Sequence, residues 1–129
     1  MARIGSSAPG TPPPAGPYSP AVRIGSIVAG SGQVGVTADG AVLDGVSAQT
    51  RQAFTNLLAH LASAGARAAD VISVRVFLTE VDHFDAMNEV YREFFAEPFP
   101  ARSTIYVGLP SGLLVEIDAL AVLSDDVSS

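Results

Sequence analysis

Apolar residues recur along the chain with two different spacings, and each spacing predicts a different kind of element. Alternation of apolar with polar or small residues, typical of strands, occurs in five segments bounded by glycine, proline or polar residues. The first two segments are close enough to be joined by a tight turn at Gly25-Ser26. In chain order the predicted strands are Ala21–Ile24, Ile27–Ala29, Val71–Thr79, Pro100–Val107 and Leu113–Ala121.

Two longer segments repeat their apolar residues every three or four positions, as amphipathic helices do. Val46–Ala64 has such a stripe, and Gly65 follows it as a helix stop. A second helix follows Asp82, a candidate cap, and it cannot continue through Pro98 and Pro100. The two stripes consist of Phe54, Leu57, Leu58 and Leu61, and of Phe84, Met87, Tyr91, Phe94 and Phe95.

The order of these elements predicts the fold class. Strands precede, separate and follow the two helices, so we expect an α+β fold in which both helices pack on one face of a single mixed β-sheet. One face of the strand Val71–Thr79 is wholly apolar and suited to lie under helices; it comprises Ile72, Val74, Val76 and Leu78. The other face is mixed, which favours contact with another subunit; it comprises Ser73, Arg75, Phe77 and Thr79.

The last two predicted strands are expected to form a hairpin, because Leu109–Gly112 between them has turn chemistry. Alternate residues share a face of a strand, so Arg102 lies with Thr104, and Glu116 lies with Asp118. A register that pairs Thr104 with Glu116 puts Arg102 and Glu116 on one face, and a shift by one residue separates them. The two charges then form either an ordinary ion pair or part of a site. Apolar neighbours favour burial of Glu116, and buried charges are rarely without a partner or a purpose.

Composition excludes several classes of function. The 129 residues suit one domain, and a net charge of −6 with a pI of about 4.6 argues against nucleic-acid binding, which needs a basic surface. All seven basic residues are Arg, so no Lys can form a Schiff base with a substrate or with pyridoxal phosphate. There is no Cys, and His60 and His83 lie in separate segments and are expected to face solvent. The sequence therefore predicts no metal and no organic cofactor.

Both ends of the chain differ in composition from its middle. Residues 1–16 are rich in proline, glycine and serine and are predicted to be a flexible arm. Residues 17–124 are predicted to be the single folded domain, and residues 125–129 a polar tail. No apolar stretch has the length of a signal-peptide core or of a membrane-spanning helix, so we expect no membrane contact and a cytoplasmic location.

Gly30–Gly35 fits the spacing G-x-G-x-x-G, which is found in dinucleotide-binding folds. That motif requires a helix directly after its glycines, whereas strand-like Val36-Thr37 and a turn follow here. The glycines predict instead a loop whose backbone approaches another group closely.

Short matches in a fixed order, covering nearly the whole chain from Pro9 onward, resemble the Rid proteins. These are the reactive intermediate deaminases, also called YjgF-like proteins. Each match is short, and the order and spacing of the set carry the resemblance. The matching stretches are Gly16–Ser19, Ser31–Gln33, Gln52–Leu61, Ala64-Gly65, Asp70–Phe77, Phe84–Phe95, Pro100–Ser103, Leu109-Pro110 and Val115–Ile117.

The resemblance implies a chorismate-mutase-like fold assembled as a homotrimer, with a cleft between each pair of subunits. It also implies cofactor-independent hydrolysis of enamine and imine intermediates, such as 2-aminoacrylate and 2-iminobutyrate, to 2-oxo acids and ammonia. The family's carboxylate-binding Arg corresponds to Arg102, and its acidic residue near the attacking water corresponds to Glu116. Its cleft residues correspond to Tyr18, Ser31, Gly32 and Asn88.

Thr104 departs from the family pattern, because relatives often have Cys two residues after that Arg. Thr also has a hydrogen-bonding side chain, so we expect an altered substrate preference rather than loss of activity. Tyr18 either lies over the cleft or packs at the subunit interface. Asn88 either binds substrate or is a structural hydrogen-bonding residue.

The chemistry of the two charged residues agrees with the resemblance. The planar guanidinium of Arg102 suits a carboxylate, which it can bind with two charge-assisted hydrogen bonds. A partly buried Glu116, with its pKa raised toward neutrality, can move the proton that water attack on an imine requires. Two alternatives stay open: a non-catalytic trimer that binds a metabolite or a protein partner in the same cleft, and a ribonuclease or translation inhibitor. The absence of Lys and the acidic balance disfavour the second.

Overall fold

The computed structural model describes residues 1–124 of the chain. The helices are α1 Val46–Ser63 and α2 Phe84–Phe94. The strands are β1 Ile4–Ser6, β2 Ala21–Ile24, β3 Ile27–Val34, β4 Val71–Leu78, β5 Ala101–Tyr106 and β6 Val115–Val122. They form one sheet in the order β1-β2-β3-β6-β4-β5. Of the neighbouring pairs in this sheet, β4 and β5 are parallel and the others are antiparallel.

The predicted α+β class, a single mixed sheet with two helices, is confirmed. α1 packs on β3 and β6, and α2 packs on α1. Strand alternation creates the buried face: in β6 every second residue from Val115 to Ala121 is buried, and the residues between them are not. Side chains from both layers are fully buried at the centre of the core, among them Phe54, Leu57, Leu61, Val74 and Ile117.

Aromatic side chains join the two helices. The Phe54 ring of α1 contacts the Tyr91 ring edge-on, with centroids 5.6 Å apart, and stacks on Phe94 at 5.0 Å. Phe95, which follows α2, completes the cluster. Because aromatic pairs add about 0.5–1.5 kcal/mol each beyond the area they bury, this cluster fixes α2 against α1 and so fixes the position of Tyr91.

The predicted hairpin between the last two strands is wrong. β5 pairs in parallel with β4, and β6 lies between β3 and β4, so β4 separates β5 from β6. Parallel pairing of β4 and β5 is possible because α2 forms the crossover between them. Residues 107–114 then carry the chain past β4, and hairpin loops are usually only two to five residues long.

The glycine-rich segment that was predicted to be a loop is part of β3. Between Gly30 and Gln33 this strand has one more residue than β6 has between Ala119 and Ile117, which is a β-bulge. The prediction of close backbone approach is confirmed, because a Cβ added at Gly30 would lie 2.7 Å from Leu57 Cδ1. No helix follows, so the dinucleotide-binding interpretation stays rejected.

The N-terminal segment is more ordered than the predicted flexible arm. Its residues Ile4–Ser6 form β1, which pairs with β2 at the edge of the sheet. The Ala8 N–H donates a hydrogen bond to Nδ1 of His60, at 3.1 Å. This contact buries His60, which is only 1% exposed, so the prediction that His60 faces solvent is wrong. The predicted polar tail, residues 125–129, lies outside the described residues.

Smaller differences arise at the ends of elements. The pairing of β4 with β6 shifts by one residue between Val71 and Ser73, so the Val71 side chain is buried and Ile72 is half exposed. The predicted apolar face is therefore buried only from Val74 onward. Asp82 does not cap α2, because a short 3-10 turn, Val81–His83, precedes the helix.

Among residues 1–124 no helix has both the length and the apolar character needed to cross a membrane.

Acidification should weaken the fold through His60. Burial lowers the pKa of its imidazole, and protonation would remove the acceptor of the Ala8 N–H. The unfolded chain therefore binds the proton more readily than the folded one. The stabilisation that neutral His60 adds to the free energy of unfolding is complete above the unfolded pKa of about 6.5. It is lost as the pH falls through the lower folded pKa. Denaturant unfolding from pH 7.5 to 5.0 measures the slope.

The matched variants are His60→Gln and His83→Gln, each of which removes one imidazole. His60→Gln should flatten the pH dependence of the free energy of unfolding between pH 6.5 and 5.0, and His83→Gln should retain it. An unchanged slope in His60→Gln would show that this imidazole does not titrate on unfolding.

Candidate active site

Arg102 lies on the outer strand β5 with its side chain on the helix-covered face. Its register partner is Val74, whose side chain is fully buried under the helices. The Arg102 guanidinium carbon lies 4.7 Å from the Tyr91 ring centroid and 5.7 Å from that of Phe84. Nη1 lies 3.9 Å from Sδ of Met87. Cation–π attraction to the two rings, together with the Met87 sulfur, therefore orients the guanidinium without neutralising it.

The guanidinium of Arg102 has no carboxylate partner within residues 1–124. The ion pairs in this part of the chain are Arg51–Glu93, Arg67–Asp70 and Arg75–Asp118. A cavity of about 250 Å³ opens beside Arg102. Its lining is Asn88, Tyr91, Arg92, Phe99, Pro100 and Arg102, with no carboxylate among them. This cavity, which we call the arginine half-site, therefore suits an anion of small-metabolite size.

Tyr91 was predicted only as a core residue, yet it lines the arginine half-site. It is 4% exposed, and its buried hydroxyl has no hydrogen-bond partner in the described part of the chain. Burial raises the pKa of the Tyr91 hydroxyl, and the positive charge of Arg102 opposes this rise. Asn88, Tyr91 and Arg92 lie three and four residues apart on α2, a spacing that puts them on one face of a helix. That spacing was the available sequence signal.

Glu116 lies on the opposite face of the sheet, here called the open face, which comprises Ser73, Arg75, Phe77, Ser103, Ile105, Glu116, Asp118 and Leu120. The register places Glu116 beside Phe77 on β4 and Val34 on β3. Burial raises the pKa of the Glu116 carboxyl, and the nearby Asp118 carboxylate acts in the same direction. Glu116 has no ion-pair partner in residues 1–124. Its raised pKa suits proton transfer nearer neutral pH.

Gly32 provides the space that the Glu116 carboxylate occupies. A Cβ added at Gly32 would lie 2.5 Å from Oε2 and 2.9 Å from Cδ of Glu116. Gly32 and Tyr18 also line a second cavity, of about 260 Å³. We call Glu116 and this cavity together the glutamate half-site.

Tyr18 and Ser31 have their polar groups partly engaged. The Tyr18 hydroxyl oxygen accepts a hydrogen bond from the Ala15 N–H at 3.1 Å. The Ser31 hydroxyl donates a hydrogen bond to the Ser19 carbonyl oxygen at 2.7 Å. The Ser31 N–H donates to the Pro20 carbonyl oxygen at 2.9 Å. Ser31 thus holds the Tyr18 segment against the bulge, while the Tyr18 hydroxyl proton stays available to a ligand.

Two buried amides position the backbone around the glutamate half-site. Gln49 Nε2 donates to the carbonyl oxygens of Leu43 and Gly112, both at 2.9 Å, and its Oε1 accepts from the Leu114 N–H at 2.8 Å. It therefore ties the start of β6 to α1. Asn56 Nδ2 donates to the Val36 carbonyl oxygen at 2.9 Å and so anchors the chain that follows β3.

The residues predicted for one site fall into two separate groups. Asn88 lines the arginine half-site, and the β5 register puts Thr104 on the same face as Arg102. The other group, at the glutamate half-site, is Tyr18, Ser31, Gly32 and Glu116. The pairing of Thr104 with Glu116 that would have put Arg102 and Glu116 on one face does not occur, because β4 separates their strands and the register places the two residues on opposite faces. Two strand spacings alone separate the backbones by about 10 Å.

Comparison with protein families identifies the chain. A family model described as Endoribonuclease L-PSP matches residues 9–123. The chain belongs to this family. It is also known as the YjgF, or Rid, family, so the family predicted from the sequence is confirmed.

Two relatives of this family member have the same name, 2-iminobutanoate/2-iminopropanoate deaminase. The protein from Dermatophagoides farinae is 42% identical over 120 residues, which cover 91% of this chain and 94% of that protein. The protein from Salmonella typhimurium is 41% identical over 112 residues, which cover 83% of this chain and 88% of that protein.

Solved structures of the same fold agree with this assignment. E. coli TdcF with bound serine superposes with a TM-score of 0.88 at 36% identity, over 94% of this chain and 98% of that chain. RidA from an Antarctic Psychrobacter has a TM-score of 0.88 at 34% identity, over 93% and 99% of the two chains.

Gly32→Ala should displace the Glu116 carboxylate and leave the fold intact, because the new Cβ would collide with the end of a flexible side chain. We expect the melting temperature to change little and any activity that depends on Glu116 to fall strongly. Gly108→Ala is the matched control, because an added Cβ there meets nothing within 4 Å. Thermal unfolding and turnover are measured on both variants. Full activity in Gly32→Ala would separate Gly32 from the site.

Proposed function

We propose that this protein hydrolyses 2-imino acids, and the enamines from which they form, to 2-oxo acids and ammonia. The observation that carries the proposal is the guanidinium of Arg102, which faces a small cavity without a carboxylate partner in residues 1–124. A substrate carboxylate would supply the missing partner through two charge-assisted hydrogen bonds.

The relatives support this class of substrate. Proteins 41–42% identical to the chain are named 2-iminobutanoate/2-iminopropanoate deaminase. The E. coli relative is described with bound serine, in which the carboxylate and the nitrogen are attached to the same carbon, C2, as they are in a 2-imino acid. Both lines of support concern ligands of the size that the 250 Å³ cavity beside Arg102 suits.

The proposed reaction needs one binding group and one group that moves a proton. Arg102 holds the carboxylate, water forms a bond to C2, and the C2=N double bond becomes single. Glu116 takes a proton from the water and gives it to the nitrogen, which leaves a hydroxyl and an NH2 group on C2. The hydroxyl proton then passes to the NH2 group, the C–N bond breaks and ammonia leaves. C2 becomes the carbonyl carbon of the 2-oxo acid. General acid–base catalysis by such a carboxyl contributes about 10²–10⁴-fold, and the balance requires no cofactor.

A homotrimer would bring the two half-sites together. Within one chain Arg102 and Glu116 lie on opposite faces of the sheet, so a neighbouring subunit must supply one of them. No element within residues 1–124 covers the open face, which combines the exposed Arg75–Asp118 ion pair with apolar side chains such as Phe77 and Leu120. Such a mixed surface is typical of subunit interfaces. We propose three clefts per trimer, each made from two subunits.

The remaining predicted residues have proposed roles in that cleft. Asn88 and Thr104 would contact the substrate beside Arg102. Gly32 makes room for Glu116, Ser31 holds the bulge, and the Tyr18 hydroxyl can donate to the substrate. We also propose a cytoplasmic location, although one relative, 39% identical over 110 residues, is named as mitochondrial.

The rival functions make different predictions. A nuclease needs a basic surface for its substrate, and this chain has 13 acidic residues against seven basic ones. A non-catalytic binding protein would bind 2-oxo acids and release no ammonia. An assay for ammonia and 2-oxo acid from freshly generated 2-iminobutanoate therefore separates the proposed enzyme from both.

Arg102→Ala should remove the carboxylate anchor. Truncating one side of a hydrogen-bonded charge pair costs roughly 2–5 kcal/mol, so kcat/KM should fall about thirtyfold or more. Arg102→Lys should also be poor, because a point charge does not replace the planar guanidinium. Steady-state turnover of 2-iminobutanoate is the measurement.

Two further arginines control for charge alone. Arg51→Ala removes an Arg that pairs with Glu93 and does not line the cavity, so it should keep wild-type turnover. Arg92→Ala removes the other Arg that lines the arginine half-site and tests which guanidinium binds the carboxylate. Wild-type kinetics in Arg102→Ala would remove Arg102 from the site.

Glu116→Gln should lower kcat about 10²–10⁴-fold, because it keeps the shape of the side chain and removes the ionisable group. Binding of a 2-oxo acid should change little, because Arg102 still holds the carboxylate. Titration calorimetry with 2-oxobutanoate gives this affinity. Unchanged kcat together with weaker 2-oxo acid binding would assign Glu116 a structural role instead.

Mixing the two inactive variants tests the shared cleft. In trimers formed by co-refolding equal amounts of Arg102→Ala and Glu116→Gln chains, some interfaces combine an intact Arg102 with an intact Glu116. Each interface has about one chance in four of this combination, so we expect about a quarter of wild-type activity. Each variant refolded alone is the control. No recovery in mixed trimers, confirmed as trimers by light scattering, would contradict a cleft made from two subunits.

A further inference from the structure

The cavity of the glutamate half-site has a wall that the proposed reaction does not use. The lining of this cavity of about 260 Å³ includes Pro12, Pro13 and Pro14, which we call the proline wall, together with Tyr18, Gly32 and Val34. Gly32 connects the cavity with Glu116, because Gly32 lines the cavity and also lies against the Glu116 carboxylate. Gly32 is therefore shared by the proline-walled cavity and the group that we propose activates water.

The chemistry of this wall is apolar. A prolyl nitrogen has no N–H, so three consecutive prolines present ring methylenes and no hydrogen-bond donor to the cavity. Consecutive prolines also restrict the backbone to extended, polyproline-like conformations, so the wall is stiff. Val34 adds a further apolar side chain to the lining. An apolar group of a ligand fits here, whereas a charged group would lose its hydration without gaining a partner.

Hydrogen bonds fix the segment on both sides of the prolines. On the N-terminal side the Ala8 N–H donates to His60 Nδ1 at 3.1 Å, and the Thr11 hydroxyl donates to the Ala8 carbonyl oxygen at 2.7 Å. On the C-terminal side the Ala15 N–H donates to the Tyr18 hydroxyl oxygen at 3.1 Å. The wall is thus held in place before any ligand binds, which reduces the entropy that a contact with it would cost.

The geometry points to Pro12–Pro14 as the determinant of side-chain specificity, selecting 2-imino acids with apolar side chains. This inference rests on the proposed function. The carboxylate and the side chain of a 2-imino acid both start from C2, the atom that water attacks. With the carboxylate on Arg102 and the water beside Glu116, the side chain must point elsewhere. We assign it to the cavity with the proline wall, which reaches Glu116 through Gly32.

The test compares a large and a small apolar substrate. The imino acids of leucine and alanine are generated in the assay by an amino-acid oxidase, and release of ammonia and 2-oxo acid is followed. The triple variant Pro12→Gly, Pro13→Ser, Pro14→Gly should lower the ratio of kcat/KM, leucine-derived over alanine-derived, about tenfold, as loss of apolar contacts does. The change should lie mainly in KM for the larger substrate.

Pro9→Gly is the matched control, because it loosens the same segment at an exposed proline that does not line the cavity. It should keep the wild-type ratio. Calorimetric affinities of the two 2-oxo acids, measured on the same three proteins, provide a readout that needs no turnover. Absence of turnover by the wild type would defeat the proposed function, while the affinity ratio still tests the wall. A ratio unchanged in the triple variant, or changed equally by Pro9→Gly, would overturn the inference.

Discussion

Backbone pairing of β6 with both β3 and β4 determines where the two charged groups of the candidate site lie. Because β6 lies between β3 and β4 and does not pair with β5, Arg102 is left on the outer strand β5. The register then directs Arg102 toward the helices and Glu116 toward the open face. A single chain thereby keeps the two proposed half-sites apart, so the proposed chemistry requires the proposed assembly.

The two half-sites hold their charges by different physical means. Aromatic rings and a thioether surround the Arg102 guanidinium, and these groups attract a cation without satisfying its hydrogen-bond donors. At Glu116, burial and a neighbouring carboxylate both favour the neutral form. Neither arrangement optimises the stability of the single chain, since paired charges cost less to bury. Both favour a ligand that brings a carboxylate and a reaction that moves a proton.

Glycine and proline shape the surroundings of Glu116 through opposite effects on the backbone. Gly32 lets the strand approach the carboxylate more closely than any side chain would permit. Ser31 holds the bulge that contains Gly32, and Asn56 anchors the end of β3 and the chain that follows it. Across the cavity, Pro12–Pro14 supply a stiff surface without N–H donors. The contact between Ala8 and His60 connects that surface to the buried face of α1, which explains why this histidine lies in the core.

Local physical chemistry in the sequence determined the elements and their chemistry. The period of the apolar residues located α1, α2, β2 and β4, and the glycines indicated close backbone approach. The order and spacing of short matches along nearly the whole chain indicated the family. Partner choice among strands was decided only by the tertiary structure, because β5 and β6 have apolar patterns that suit several neighbours, and pairing depends on contacts distant in sequence. The same reason explains the opposite faces of Arg102 and Glu116, the burial of His60 by a segment some fifty residues away, and the position of the proline wall.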